Sequence, residues 1–555
     1  MDWARRIGLS AAAGLTLAVL GFYASRLATP LPIFAGDEAA YLIRAIYPDQ
    51  VVAADPFVAP LNNGVHLSVL RALYGLHLPM ILGDRLINSL AYLGGLALIW
   101  RMRNRGLERP QAIALGLLAL AFPYYRFAVS NLAEGLFVGL LALILAATGG
   151  WYRRRPLAHA AAAGALCAAL VLVKPNGVAI VLALGAVAVL DTWASGGWRR
   201  LPLRTLLFAV VFFALGNLIQ WGADEPAVHP LAFFVGDLYR ADLRQPAPPH
   251  LAELAGLALG SMLSATAVLM GAPLTVGLAD QARRWRARRA EGAEGLDLVF
   301  LLAAASLAAT LAMVTIFITK ISGSPGEAGR LWGRYFEFFT PLVWLAAAPA
   351  LARPIGWRTA WTCAGVMLLG IVGLLASFRA GIVLFPWDSS ALTAFFSPDP
   401  ARAPLGGGPP YRALAVAATV AAAGLMLARR PVYAGLGLIL AFAGLSTWLD
   451  HQWLAPMVQQ RRALARDAAA IAQRLPARPA PVVLLAPDAN DGHLGFLQLQ
   501  ARPTVWLGPP GQTPPSQLAA ARAVVVSGPE TPPGGPWRRT YRGEDLSLFE
   551  PAARP

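Results

Sequence analysis

Charge is what this chain has least of. Only 14% of its 555 residues are Asp, Glu, Lys or Arg and 57% are hydrophobic, whereas an ordinary soluble domain carries roughly 25% charged residues. That balance excludes a soluble globular protein and points to one embedded in a lipid bilayer. A formal net charge of +16 would suggest nucleic acid in a soluble protein. Here the basic residues lie in short clusters between apolar runs, where the position of each charge matters more than the sum, and no nucleic-acid partner is expected. Cysteine is scarce too. Cys167 and Cys363 each sit inside an apolar run, which excludes a disulfide framework or cysteine metal pair and leaves the redox compartment unspecified. Long internal repeats, low-complexity tracts and a Gly-rich phosphate fingerprint are absent as well.

Long apolar runs are what the chain does have. At roughly 17 to 25 residues per span, they fall near 7–29, 78–100, 110–127, 131–149, 157–173, 177–191, 201–221, 251–279, 297–318, 336–351, 359–378, 411–428 and 432–449, about thirteen in all. The first follows Arg5 and Arg6, as a signal peptide would. It is longer than the 7 to 15 residues of a signal core and many spans follow it, so it is expected to remain as the first span. The split of 157–191 rests on Pro175 and Gly177, which end and restart a helix.

Alternate turns, "RMRNRGLER", "WYRRRP", "GGWRRLPLR", "QARRWRARRAEGAEG", "ARPIGWR" and "ARRP", are short and basic, as cytoplasmic loops are. The remaining loops, 30–77, 122–130, 174–177, 222–250, 319–335 and 379–410, then face outward, with the N-terminus inside and the C-terminus outside. Beyond about 450 the composition changes. "HQWLAPMVQQRRALARDAAAIAQRL" reads as an amphipathic helix, and "PVVLLAPD", "TVWLG" and "AVVVSG" read as short strands separated by the helix-like "GHLGFLQLQ" and "PPSQLAAARA". The expected organisation is a polytopic α-helical membrane domain over 1–450, with a first outer loop at 30–77. A small extracytoplasmic α/β domain, its strands parallel, should occupy 451–555. In "PDANDGHLG", Asp488, Asp491 and His493 have the chemistry to bind a ligand, and turn chemistry explains them equally well.

Polar residues that hydropathy disfavours gather on the outward side. The first outer loop, "GDEAAYLIRA" onward, supplies Asp37, Glu38, Arg44 and His66; "FPYYRFAVSNLAEGLF" supplies Tyr124, Tyr125, Arg126, Asn131 and Glu134. Lys174 lies in "VLVKPNG", and "KISGSPGEAGRLWGRYFEFFTP" adds Lys320, Glu327, Arg330, Arg334, Tyr335 and Glu337. Several have an ordinary explanation. Asp37 suits a helix N-cap with Glu38 in the first turn, Lys174 can snorkel to headgroups, His66 can be a plain loop histidine, and Arg334 can pair with Glu337 at i,i+3. A carboxylate one turn inside an apolar helix, as Glu134 is, costs about 2 to 3 kcal/mol unless paired; Arg126 or another interfacial base would serve.

Taken in order and by side, "GDEAAYLIRA" after the first span, "SNLAEGLF" entering the fourth, "VLVKPNG" ending the fifth and "GRYFEFFTPL" entering a late span resemble the GT-C membrane glycosyltransferases that use polyprenyl-phosphate sugars. The resemblance is nearest to the bacterial group around the protein mannosyltransferases and lipid A aminoarabinose transferases. It covers about residues 1 to 380. It implies Asp37 as the catalytic carboxylate with Glu38 as its neighbour, and Glu134 as the second acidic position. Lys174 and Arg334 would hold the lipid phosphate, with Arg126, Lys320 and Tyr335 beside them, while His66 and Arg44 would support the acceptor side. It further implies a bacterial inner-membrane enzyme with an outward-facing site, a polyprenyl-phosphate sugar donor, and a glycan, lipid or protein acceptor. A divalent metal on Asp37 and Glu134 is left open, since no clustered His or Asp set accompanies them.

The chemistry suits these residue types. A sugar leaving a polyprenyl phosphate passes through an oxocarbenium-like state. Arg binds the phosphate oxygens bidentately and Lys adds a point charge, while a carboxylate near a helix start is ready to take the acceptor's proton. A transporter or flippase would line a path with the same residues, though usually near the midplane and between related halves. An O-antigen ligase or polymerase-like enzyme, or an assembly protein built around the C-terminal unit, are the other readings.

Overall fold

The computed structural model describes residues 2–29, 35–46, 63–195, 197–222, 250–291, 295–321, 329–385, 387–396, 409–475, 482–486, 504–508, 513–518, 521–528 and 530–552. In lipid every backbone polar group must be satisfied within its own segment, so the Ala- and Leu-rich runs become helices. In chain order these are α1 (Asp2–Ala24), α2 (Ala35–Ile46), α3 (Gly64–Gly75), α4 (Met80–Arg103), α5 (Arg109–Ala121), α6 (Tyr125–Ala128), α7 (Glu134–Trp151), α8 (Pro156–Val173), α9 (Gly177–Ser195) and α10 (Leu201–Gly222). Next come α11 (Leu251–Glu291), α12 (Leu298–Ile321), α13 (Phe339–Ala346), α14 (Ala348–Leu351), α15 (Trp357–Arg379), α16 (Thr393–Phe396), α17 (Pro409–Leu427) and α18 (Pro431–Arg474).

Every one of the predicted apolar runs coincides with helix. Among the described residues, ten helices are long and apolar enough to cross a membrane. The other three runs fall on α4, which carries buried Asp84, Arg85 and Asn88; on α5, with 13 residues; and on the pair α13 and α14. The number thirteen therefore rests on the run pattern, whereas length and composition support ten. The split near Pro175 is present: α8 ends at Val173, a turn carries Lys174 to Asn176, and α9 begins at Gly177.

Two helices that position the site approach closely. A Cβ on Gly135 would stand 2.2 Å from the Asn88 carbonyl oxygen, and one on Gly139 would stand 2.8 Å from that of Ala91. This small-xxx-small stripe lets α7 lie against α4. It fixes the helix that begins with Glu134.

Two expectations change. The amphipathic stretch after 450 is not a separate helix, because α18 runs unbroken for 44 residues with Pro456 inside it. At 1.5 Å per residue it is about 66 Å long, roughly twice the hydrocarbon thickness, so its second half stands clear of the bilayer. Among the described residues the C-terminal sheet has five strands, β1 (Val482–Leu485), β2 (Thr504–Gly508), β3 (Ala523–Ser527), β4 (Trp537–Arg542) and β5 (Leu546–Pro551), in the order β2-β1-β3-β5-β4. A short helix, α19 (Pro515–Leu518), precedes β3. The three strands read from sequence are parallel, and the hairpin β4–β5 adds an antiparallel edge.

Both faces of the central strands are covered, which explains their continuous apolar sequence. Val482 and Leu484 pack on Leu464, Ala468 and Ile471 of α18, while Val483 and Leu485 pack with Leu518 and Phe549 on the other side. Asp467 of α18 ties the hairpin down, accepting hydrogen bonds from Tyr541 Oη (2.8 Å) and the backbone N–H groups of Asp545 (2.8 Å) and Leu546 (3.1 Å). Asp488, Asp491 and His493, with the segment "GHLGFLQLQ", lie outside the described residues.

Candidate active site

Glu134, at the head of α7, receives two cations. Lys174 Nζ donates to its Oε1 at 2.5 Å and Arg334 Nε stands 3.4 Å from the same oxygen. The carboxylate is 2% exposed, so the partner that burial demands is supplied by residues 40 and 200 positions away rather than by Arg126. Tyr335 lies under both cations, its ring centre 5.1 Å from Lys174 Nζ and 5.6 Å from Arg334 Cζ. Lys174 sits here because α8 ends one residue earlier. The snorkelling reading gives way to a buried ion pair.

Arg334 is aimed by its own segment. Arg330 holds Asp388 through Nε at 2.7 and 2.9 Å to the two carboxylate oxygens, and Leu331 N–H donates to Val383 O at 3.0 Å. The Arg334 N–H donates to Asp388 O, and Tyr124 Oη donates to Arg334 O at 3.0 Å. Glu337 does not pair with Arg334. Its two oxygens accept hydrogen bonds from Ser389 Oγ, Ser390 N–H (2.8 Å), Ser390 Oγ (2.9 Å) and Ala391 N–H (3.2 Å). Gly333 is required between them, since a Cβ there would meet Glu337 Oε1 at 2.7 Å and Asp388 O at 3.0 Å. Segments 329–338, 382–385 and 387–391 are thus joined into one wall.

α2 and α3 supply the facing side. The helix reaches back to Ala35, so Asp37 lies inside α2 rather than at its N-cap. The Asp37 side chain and that of Lys320 lie outside the described residues. Glu38 is fully buried and accepts the Asn131 backbone N–H, with Arg85 Nη2 at 4.0 Å. Behind it, Asp84 receives Asn131 Nδ2 (3.0 Å) and Asn88 Nδ2 (3.0 Å) and lies 3.1 Å from His66 Nε2. Asn63 Nδ2 donates to Val173 O at 2.9 Å, which places α3 beside Lys174. His66 is therefore a buried structural partner of Asp84, packed 5.1 Å from the Tyr41 ring. Arg44 is half-buried on the same helix as Asp37.

Arg126 is placed apart from the phosphate candidates. Its Nη1 donates to Asp450 Oδ1 at 2.7 Å and its Nη2 to Ser389 O at 2.6 Å, while Tyr23 Oη donates to Asp450 Oδ2 at 2.7 Å. The group joins α1, α18 and the 389 segment. Sequence reading missed Asp84, Arg85, Asp388 and Asp450. The signal for three of them was a charge inside or beside an apolar run.

Among the described residues no group of three or more His, Cys, Asp or Glu is placed to hold a metal ion. At Glu134 a divalent cation would face two positive side chains across one carboxylate. The geometry gives Glu134 to Lys174 and Arg334.

No family model matches the chain, and no curated protein does. Solved structures do. ArnT from Cupriavidus metallidurans in the apo state aligns with TM-score 0.51 at 19% identity, covering 97% of this chain and 98% of that one. The same protein bound to undecaprenyl phosphate aligns with TM-score 0.53 at 16% identity, covering 98% of each. An Archaeoglobus fulgidus oligosaccharyltransferase aligns more weakly, with TM-score 0.42 at 14% identity over 93% of this chain and 69% of that one. Across nearly its whole length, this chain shares the fold of ArnT.

Proposed function

We infer that the protein is a glycosyltransferase that moves a sugar from a polyprenyl-phosphate donor to an extracytoplasmic glycan, lipid or protein acceptor. One observation carries the reading. Lys174 and Arg334 converge on Glu134 over the ring of Tyr335, at the end of the bundle where the helix bearing Asp37 is anchored through Glu38. The fold adds support, because ArnT, which shares it, has been crystallised with undecaprenyl phosphate.

In this reading Glu134 holds the two cations in place and the phosphate of the donor lies against them. An acceptor hydroxyl attacks the anomeric carbon as the bond from that carbon to the phosphate oxygen breaks, with inversion. The bonding pair leaves with the polyprenyl phosphate, whose growing charge Lys174 and Arg334 neutralise. The acceptor's proton passes to the Asp37 carboxylate, which the positive end of α2 keeps ionised. Arg126 serves the architecture through Asp450. The polar groups gather at one end of the bundle, which favours an enzyme over a transporter with a path through the midplane.

The test is release of polyprenyl phosphate from polyprenyl-phosphate-linked hexose and pentose donors by the purified protein with an envelope extract as acceptor. Asp37→Asn keeps the size of the side chain and removes its basicity, so turnover should fall by about 10² to 10⁴ at unchanged melting temperature. Near-normal release by this variant would return "GDEAAY" to a helix start and nothing more.

A further inference from the structure

A cavity of about 1060 Å³ lies at the opposite end of the bundle, between the first half of α1, the start of α5, α14 and the turn joining α17 to α18. The same helices mark the separation. α1 lines the cavity with Leu9, Ala12 and Leu15 and carries Tyr23 to the Arg126–Asp450 group at its other end, and α5 runs from Gln111 at the cavity towards Phe122. The volume is at or above the roughly 300 to 1,000 Å³ of a drug-sized ligand site.

Its walls and mouth differ in chemistry. Leu9, Leu15, Leu436 and Leu440 make the interior apolar, while Arg429 and Arg430 stand exposed at the rim. Arg353 is also at the rim, but its Nη1 donates to Asp280 Oδ1 at 2.7 Å. Among the described residues no carboxylate forms an ion pair with Arg429 or Arg430, and Arg429 rests 6.0 Å over the Trp357 ring. Among the described residues that line the cavity, Glu108 is the single acid.

We propose that this cavity binds a phospholipid with an anionic headgroup, its acyl chains in the apolar groove and its phosphate against Arg429 and Arg430. Three observations fit that occupant. The rim is basic, the interior is apolar, and the basic turns read as cytoplasmic from sequence, "RMRNRGLER", "ARPIGWR" and "ARRP", all border it. Basic pockets between membrane helices on that side select anionic headgroups. At about 1 kcal/mol for each arginine, two of them favour an anionic over a zwitterionic lipid by roughly 30-fold. The groove has room for chains at Gly8 and Gly437, where an added Cβ would meet nothing within 4 Å.

The experiment uses the full-length protein in micelles containing phosphatidylglycerol and phosphatidylcholine, with retained lipid counted by native mass spectrometry and the melting temperature recorded. Phosphatidylglycerol should be retained over phosphatidylcholine by roughly 30-fold, should raise the melting temperature, and should not be displaced by glycerol 3-phosphate. The double variant Arg429→Ala/Arg430→Ala should lose the preference. Gly437→Leu should lose retention by filling the groove while keeping the basal melting temperature, since leucine favours helix over glycine. Should the arginine variant fail to fold, Gly437→Leu decides alone. Equal retention of phosphatidylcholine, displacement by glycerol 3-phosphate, or a preference that survives Gly437→Leu would overturn the proposal.

Discussion

Glu134 is the residue on which the site turns, because one buried oxygen serves two cations from different parts of the chain. Removing the charge with Glu134→Gln leaves Lys174 and Arg334 facing each other in a largely buried setting, a change that typically costs about 3 to 5 kcal/mol. The expected result is a lower melting temperature that undecaprenyl phosphate restores more fully than it shifts the unmodified protein, because the ligand replaces the missing anion. A variant with an unchanged melting temperature and no added response to the lipid would show that the cations do not depend on Glu134. At this scale the sequence told that Glu134 required a partner, since its burial followed from its place in an apolar helix. Which partner it would be was not legible. Lys174 lies 40 residues away and Arg334 lies 200 away, and no local pattern encodes such a meeting. Arg126 was the nearer base, but Asp450, 324 residues on, holds it instead.

Among elements, α4 and α7 carry the geometry of the site. Their contact depends on Gly135 and Gly139, so Gly139→Leu should push α7 off α4, displace Glu134 and lower the melting temperature along with any lipid response. Gly150→Leu, on the same helix at a place where a Cβ meets nothing within 4 Å, should leave both intact. Equal behaviour of the two variants would show that the close approach does not set the position of Glu134. The helices were legible because apolar runs in lipid have almost no alternative to helix. The internal polarity of α4 was not, since averaging over the run 78–100 hides Asp84, Arg85 and Asn88. The edge strand β4 was missed for a related reason: "WRRTYR" is mostly solvent-facing and offers no apolar signal. The boundary expected near 450, read from the change of composition there, is not a helix end, because the apolar span and the amphipathic stretch after it are both helix-forming and join as α18.

For the whole molecule, the account depends on sidedness. We propose, from the pattern of basic turns, that "RRWRARR" lies inside and the C-terminus outside. A periplasm-dependent reporter fused after Pro555 should be active, and one inserted within 283–289 should be silent. The reverse at either point would put the candidate site on the side where no extracytoplasmic acceptor could reach it. The central claim, that a lipid phosphate sits between Lys174 and Arg334, is tested most directly by the binding of undecaprenyl phosphate itself, which requires neither the sugar nor the acceptor to be known. The measurement is the dissociation constant for the purified protein and for Arg334→Ala, Arg334→Lys and Lys174→Met at matched melting temperature. Loss of a charge-assisted contact of roughly 1.5 to 3 kcal/mol should weaken binding about 10- to 150-fold in Arg334→Ala. Arg334→Lys should recover part of that loss, because it restores charge without the bidentate fork. Unchanged affinity in both Arg334→Ala and Lys174→Met would contradict the account and leave the two cations as structural partners of Glu134.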